Sequence, residues 1–233
     1  TRFGPVLMPG LAVGLGSLHA LHRLAAGVPG AVHRVLDVTR GLSHNVTTEM
    51  DLALWQTAVA IRQDPDAAAQ VAGTDVDVLA AWWRTAALAP VAQSAIDGFL
   101  RQFGMRGVAE IDVGRARWRE DPRLLLQALK SYLQITDLER APDVVFRRGA
   151  ASAESTVDAL AAEARQARHG WFRERVVRWA ARRVRSLAGL RESPKFTMIR
   201  LLGLLRTTLL ASGAELVRAG ALEYDFTGTP GRW

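Results

Sequence analysis

The sequence predicts an all-α protein, an irregular multi-helix domain with one long ordered loop at about residues 104–121. Three observations predict it. Apolar residues recur at three- and four-residue spacing through most of the chain, the pattern of helices that bury one face. Alternating β-branched runs bounded by turns are nearly absent, and Val144-Val145-Phe146 is the best short strand candidate. Gly104 to Pro122 loses the periodicity and concentrates glycine and alternating charge instead.

The elements follow in order. The first forty residues read as short apolar stretches separated by turns at Gly4-Pro5, Pro9-Gly10 and Pro29-Gly30. Phe3 to Leu18 is uncharged, yet a membrane span needs about 20 apolar residues without such breaks, so a buried, partly irregular segment is expected. Asn45 or Thr47 opens a helix whose stripe is Met50, Leu54, Ala58 and Ile61, and Asp64-Pro65-Asp66 stops it. Asp75 or Asp77 opens the next, through Leu79, Trp82 and Trp83, and Pro90 breaks or kinks the run. Val91 to Phe103 resumes as helix and ends at Gly104. Pro122 suits the first turn of a helix through Leu125, Leu129 and Leu133. Further helices are expected from Ser155 to about His169, from Trp171 to Leu190, and from Phe196 to Ala219 with Gly220 behind it. One domain over 1–233 accommodates all of this, with a possible subdivision into 1–150 and 151–233.

The 233 residues contain no cysteine, which excludes disulfides, thiolate metal sites and cysteine nucleophiles and fits a cytoplasmic location. The formal charge is +7, and Lys130 and Lys195 are the only lysines among the basic residues. From Arg165 to Arg206 there are twelve basic residues against two acidic ones, Glu174 and Glu192. Such a field attracts polyanions, so a basic helical module for nucleic acid or another polyanion is the alternative functional reading. No membrane association is expected. The five histidines form no metal signature, and no P-loop, GxSxG or HExxH occurs. No metal or cofactor site is expected within this chain.

Three charged islands stand between the helices. In Arg191-Glu192-Ser193-Pro194-Lys195, arginine offers a rigid donor fork and lysine a mobile point charge for an anion. Glu192 can orient either one or accept a proton from a hydroxyl. Pro194 restricts Ser193 to extended backbone, with Lys195 just before a helix start, where free N–H groups also favour an anion. A solvated interhelical loop with a local ion pair explains the same residues. The second island, Gly104–Pro122, carries Arg106, Glu110, Asp112, Arg115, Arg117, Arg119, Glu120 and Asp121, with Trp118 as hydrophobic anchor. It reads either as a structural ion-pair network or as a substrate or phosphate site using Arg106, Glu110 and Trp118. The third, Asn45 to Asp51, opens a helix, where carboxylates are expected from the macrodipole alone. Met8 and Met50, with the tryptophans, can line a roomy apolar pocket.

Taken in order, GLSHNVTTEMDLALW (Gly41–Trp55), FGMRGVAEIDVGRARWREDP (Phe103–Pro122) and RESPKFTMIRLLGLLRTTLLASGAELVRAGAL (Arg191–Leu222) resemble the central helical region of rifampicin phosphotransferases and related phosphoenolpyruvate-synthase-like proteins. Met105 stands where such relatives commonly have histidine, and Ala109 where glycine is usual. The resemblance implies a fragment of a three-part enzyme. An ATP-grasp domain binds ATP and Mg, a swivelling domain carries a phosphorylated histidine, and the helical domain holds the acceptor. The acceptor it implies is a hydroxylated small molecule, a rifamycin or a pyruvate-like compound. Arg191 and Lys195 would steady the phosphoryl group and Glu192 would position or deprotonate the acceptor hydroxyl. Without the ATP-grasp and phosphohistidine domains, this chain alone is not expected to be active.

Overall fold

The computed structural model describes residues 4–25 and 31–222, with side chains described at 12–23 and 34–222. Among these residues there is no strand. The helices are α1 (Gly4–Ala25), α2 (Ala31–Asp37), α3 (Val46–Arg62), α4 (Pro65–Gly73), α5 (Val76–Arg84), α6 (Pro90–Phe103), α7 (Arg123–Leu133), α8 (Pro142–Gln166), α9 (Gly170–Leu187) and α10 (Ser193–Arg218). The long loop lies between α6 and α7. No helix among the described residues is long and apolar enough to cross a membrane.

The chain divides into two compact units, each built from two separated stretches. The first comprises residues 1–52 and 135–194. Its core brings Leu21 of α1, Val35 of α2, Val157 and Leu160 of α8, and Val177 and Val184 of α9 together, all buried. Arg34 clamps Glu163 through two parallel bonds, Nη1 to Oε1 at 2.6 Å and Nη2 to Oε2 at 2.8 Å, tying α2 to α8. Arg185 donates to the carbonyls of Val38 and Arg40 and pairs with Glu154. In this way α9 holds the turn that leads into α3.

The second unit comprises residues 53–134 and 195–233. Its core includes Trp55 and Ile61 of α3, Leu79 of α5, Phe103 of α6, Leu126 of α7 and Ile199 of α10. Trp55 meets the Tyr132 ring edge-on, with the Arg62 guanidinium over its face. Lys130 donates to the Thr74 carbonyl, satisfying a group at the end of α4.

Local chemistry explains most boundaries. Asn45 caps α3, its Oδ1 accepting from the N–H groups of Thr47 and Thr48. Asp64 does not merely stop α3: it caps α4, accepting from Asp66 and Ala67, with Pro65 at the first helical position. The sequence reading missed this short helix. Asp75 caps α5, and Pro90 opens α6 rather than kinking a longer helix. Gly220, at φ 69°, takes the left-handed position that closes α10.

Three expectations are corrected. The opening segment is one helix: Pro5 falls in its first turn, where no intrahelical N–H bond is needed, and loss of one bond at Pro9 does not end it. Val144-Val145-Phe146 is not a strand, because Pro142 and Asp143 start α8 and the alanine-rich stretch behind them sustains it. Ser193 is helical (φ −63°, ψ −39°), so the pre-proline preference for extended backbone yields to the first turn of α10.

Candidate functional site

The segment between α6 and α7 is irregular but thoroughly bonded. Its two ends run alongside each other: Trp118 N–H donates to the Arg106 carbonyl at 2.8 Å and Arg119 N–H to that of Gly104 at 3.0 Å. The approach requires glycine at 107, where a Cβ would stand 2.8 Å from the Ala116 carbonyl oxygen. At the tip, Asp112 Oδ1 accepts from Gly114 N–H at 2.8 Å.

Arg117 sits at the centre, 1% exposed. Its Nη1 donates to the Glu110 carbonyl at 2.8 Å, while Nε and Nη2 have no partner among the described residues. Burial pushes its guanidinium below the usual arginine range, and the charge of Arg206 acts in the same direction. Arg206 reaches in from α10, pairing with Glu120 Oε2 at 2.8 Å and donating to the Val113 carbonyl at 2.8 Å. At the exit, the Arg123 guanidinium holds the Asp121 carboxyl below the usual carboxylate range.

Glu110 carries the site. Its buried carboxylate accepts from Arg106 Nε at 2.6 Å and from Gly107 N–H at 3.3 Å. Lys195 Nζ approaches its other oxygen, at 3.8 Å. The Lys195 side chain stays 52% exposed, whereas that of Arg106 is 15% exposed. One buried carboxylate therefore stands between a buried guanidinium and a half-exposed ammonium. Glu110 and Lys195, with Gly107, Ala109, Ile111 and Asp112, line an open depression of about 590 Å³. Phe196 lies under the guanidinium of Arg106 at 6.0 Å and against the Phe103 ring at 5.9 Å, which anchors the start of α10.

Of the residues singled out from sequence, the structure thus brings Arg106, Glu110 and Lys195 together. Trp118 joins them through the loop backbone, but its indole stacks on Phe99 at 6.2 Å and is half-buried, in the manner of a packing anchor. Lys195 is the third residue of α10 rather than a residue ahead of it. The remaining residues belong to the first unit. Arg191 and Glu192 occupy a short 3-10 turn (Ala188–Glu192), where Arg191 Nε meets Glu192 Oε1 at 3.2 Å. Met50 is half-buried in α3. The side chain of Met8 lies outside the described residues. Arg206 was missed, although the sequence held a signal for it. Arg200 and Arg206 are the only charged residues in an apolar run from Phe196 to Ala214. Among the described residues no group of three His, Asp or Glu side chains stands close enough to hold a metal ion.

An all-α chain whose longest loop is organised around buried charge defines a helical domain with a preorganised polar site. The family described as the rifampicin phosphotransferase fourth domain matches residues 6–192, and the chain belongs to that family. It is 28% identical over 208 residues to a rifampicin phosphotransferase of Streptomyces sviceus, covering 89% of this chain and 22% of that protein. To a second, from Streptomyces sp, it is 30% identical over 188 residues, 79% of this chain and 21% of the relative. A stretch of 42 residues, 18% of this chain and 5% of the relative, is 48% identical to the prodigiosin synthesizing transferase PigC of Serratia marcescens. The chain spans about a fifth of the length of the rifampicin phosphotransferases it matches.

Proposed function

We propose that this chain is the acceptor-binding helical domain of an ATP-dependent phosphotransferase working through a phosphohistidine. ATP and Mg would be bound by an ATP-grasp domain and the phosphoryl group delivered by a histidine-carrying domain, both in the remainder of the parent polypeptide. The observation that carries the proposal is the Arg106–Glu110–Lys195 arrangement, in a chain of the rifampicin phosphotransferase fourth-domain family. Phosphoryl transfer asks little covalent chemistry of a protein and depends on positioning and charge neutralisation. Glu110, fixed by Arg106, keeps the Lys195 ammonium close to an open depression while leaving it half in solvent. An incoming phosphoryl group can then share the ammonium without any charged side chain having to be freshly ordered. The resemblance adds Arg191 as a second cation for that group and Glu192 as the residue that positions or deprotonates the acceptor hydroxyl. The acceptor we favour is a rifamycin, by the names of the relatives.

The polyanion-binding alternative is weaker. Arg165, Arg178 and Arg185, on the basic stretch that suggested it, are engaged by Glu174, Asp158 and Glu154. The test is kinetic. In the complete parent enzyme, Lys195→Ala and Arg191→Ala each lower kcat/KM for phosphorylation of rifampicin by roughly 10²-fold or more, as expected when a charge that stabilises the transition state is lost. Transfer at the parental rate in the double variant would refute the assignment.

A further inference from the structure

A second recess in the unit of residues 53–134 and 195–233 is distinct from the Glu110–Lys195 depression and has no part in the function proposed above. It has a volume of about 470 Å³ and lies among α6, the long loop and α10. Arg101, Arg119 and Arg200 line it together with Leu100, Met105 and Leu204. Arginine elsewhere in this protein is commonly matched to a carboxylate, as at Arg34, Arg106, Arg123, Arg178 and Arg206. Among the described residues none of these three forms a salt bridge. Arg119 Nη1 meets the Met105 sulfur at 3.8 Å, and Arg200 lies over the Phe196 ring at 6.0 Å. Both are weak contacts that a stronger acceptor would displace. The one carboxylate in the recess, Asp97, is turned to other work. Its Oδ1 accepts the Trp83 indole N–H at 2.9 Å, and both of its oxygens accept from the Gln93 amide. Three arginines and three apolar side chains therefore line the recess, and the Asp97 carboxylate among them is held by neutral donors.

We infer that this recess binds an organic anion with a phosphate-type head and an apolar body. Guanidiniums match the oxygens of phosphate with paired donors, and three from separate elements surround a head that carries more than one negative charge. Leu100, Met105 and Leu204 supply the surface on which an apolar body is removed from water. The three cations come from α6, the loop and α10, so a bound anion would also fasten the loop to both helices.

The head alone is offered by inorganic phosphate and the complete class by 1-naphthyl phosphate, and calorimetric titration of the 233-residue chain with each separates the two sources. The naphthyl compound is expected to bind at one site, about tenfold more tightly than inorganic phosphate, because only it buries apolar surface. Arg119→Gln with Arg200→Gln should weaken it roughly tenfold or more, and Arg101→Gln alone at least about threefold, with unchanged circular dichroism and unfolding midpoint. Arg168→Gln, an exposed arginine outside the recess, should leave affinity as it was. The inference is overturned by no saturable binding, by equal affinity for inorganic phosphate, or by a loss in Arg168→Gln matching that in the recess variants. The last result would mean a diffuse basic field. Because Lys195 and Glu110 stay intact in every variant, failure here leaves the proposed acceptor role standing.

Discussion

Ala109 holds a left-handed backbone, with φ 50°, at the rim of the Glu110 depression. A Cβ in that conformation costs about 1–2 kcal/mol, and a glycine recovers it less its own greater entropy in the unfolded chain. Ala109→Gly should therefore stabilise the protein by about 0.5–1 kcal/mol, read as a higher midpoint in urea with unchanged slope. Arg117 poses the opposite problem, a buried cation whose Nε and Nη2 have no partner among the described residues. Arg117→Ala removes its packing and orphans the Glu110 carbonyl, an expected loss of about 2–4 kcal/mol. Arg117→Met fills the same space without burying a charge and should recover more than half of that loss. Equal unfolding midpoints for the two variants would show that Arg117 contributes through its charge rather than its bulk.

Among elements, the α2–α8 clamp shows how a charge pair sets pH dependence. The Arg34 guanidinium holds the Glu163 carboxyl below its ordinary value of 4.5. A carboxyl lowered on folding stabilises the native state above that value, and the contribution disappears as pH falls through the native titration. Both partners are about a third exposed, so solvent screening limits the effect. Glu163→Gln should cost about 0.5–1 kcal/mol at pH 7, and the gap from the parent should close as pH is lowered below about 4.5. A gap that did not change at all as the pH fell below about 4.5 would mean the glutamate acts through packing. The same elements show what the sequence made legible. Asn45, Asp75 and Pro90 mark helix ends because each supplies a bond or a fixed dihedral at its own position, whereas Gly104 ends α6 in ordinary right-handed backbone. The α4 helix and the continuity of α1 were illegible for a related reason. Asp64-Pro65 and Pro5 read as breakers, whereas in a first turn the same residues start helices.

At the scale of the molecule, the all-α class followed from periodicity alone, and nothing local could show that each unit combines two distant stretches of chain. The site was legible in the same measure. The charge of the 104–122 island announced a network, and Arg106 and Glu110 were named from it. Their meeting with Lys195, 85 positions beyond Glu110, is a product of tertiary packing. So is the burial of Arg117, which no spacing rule distinguishes from its exposed neighbours Arg115 and Arg119. The chain accordingly presents a preformed polar site, in a family whose relatives are about four times as long. The central claim, that this domain by itself holds the acceptor, is tested most directly by calorimetric titration of the folded chain with rifampicin at two salt concentrations and two temperatures. The account predicts saturable binding at both salt concentrations, with a negative heat-capacity change from burial of apolar surface. A chain shown to be folded by circular dichroism that takes up no rifampicin under either condition would contradict it.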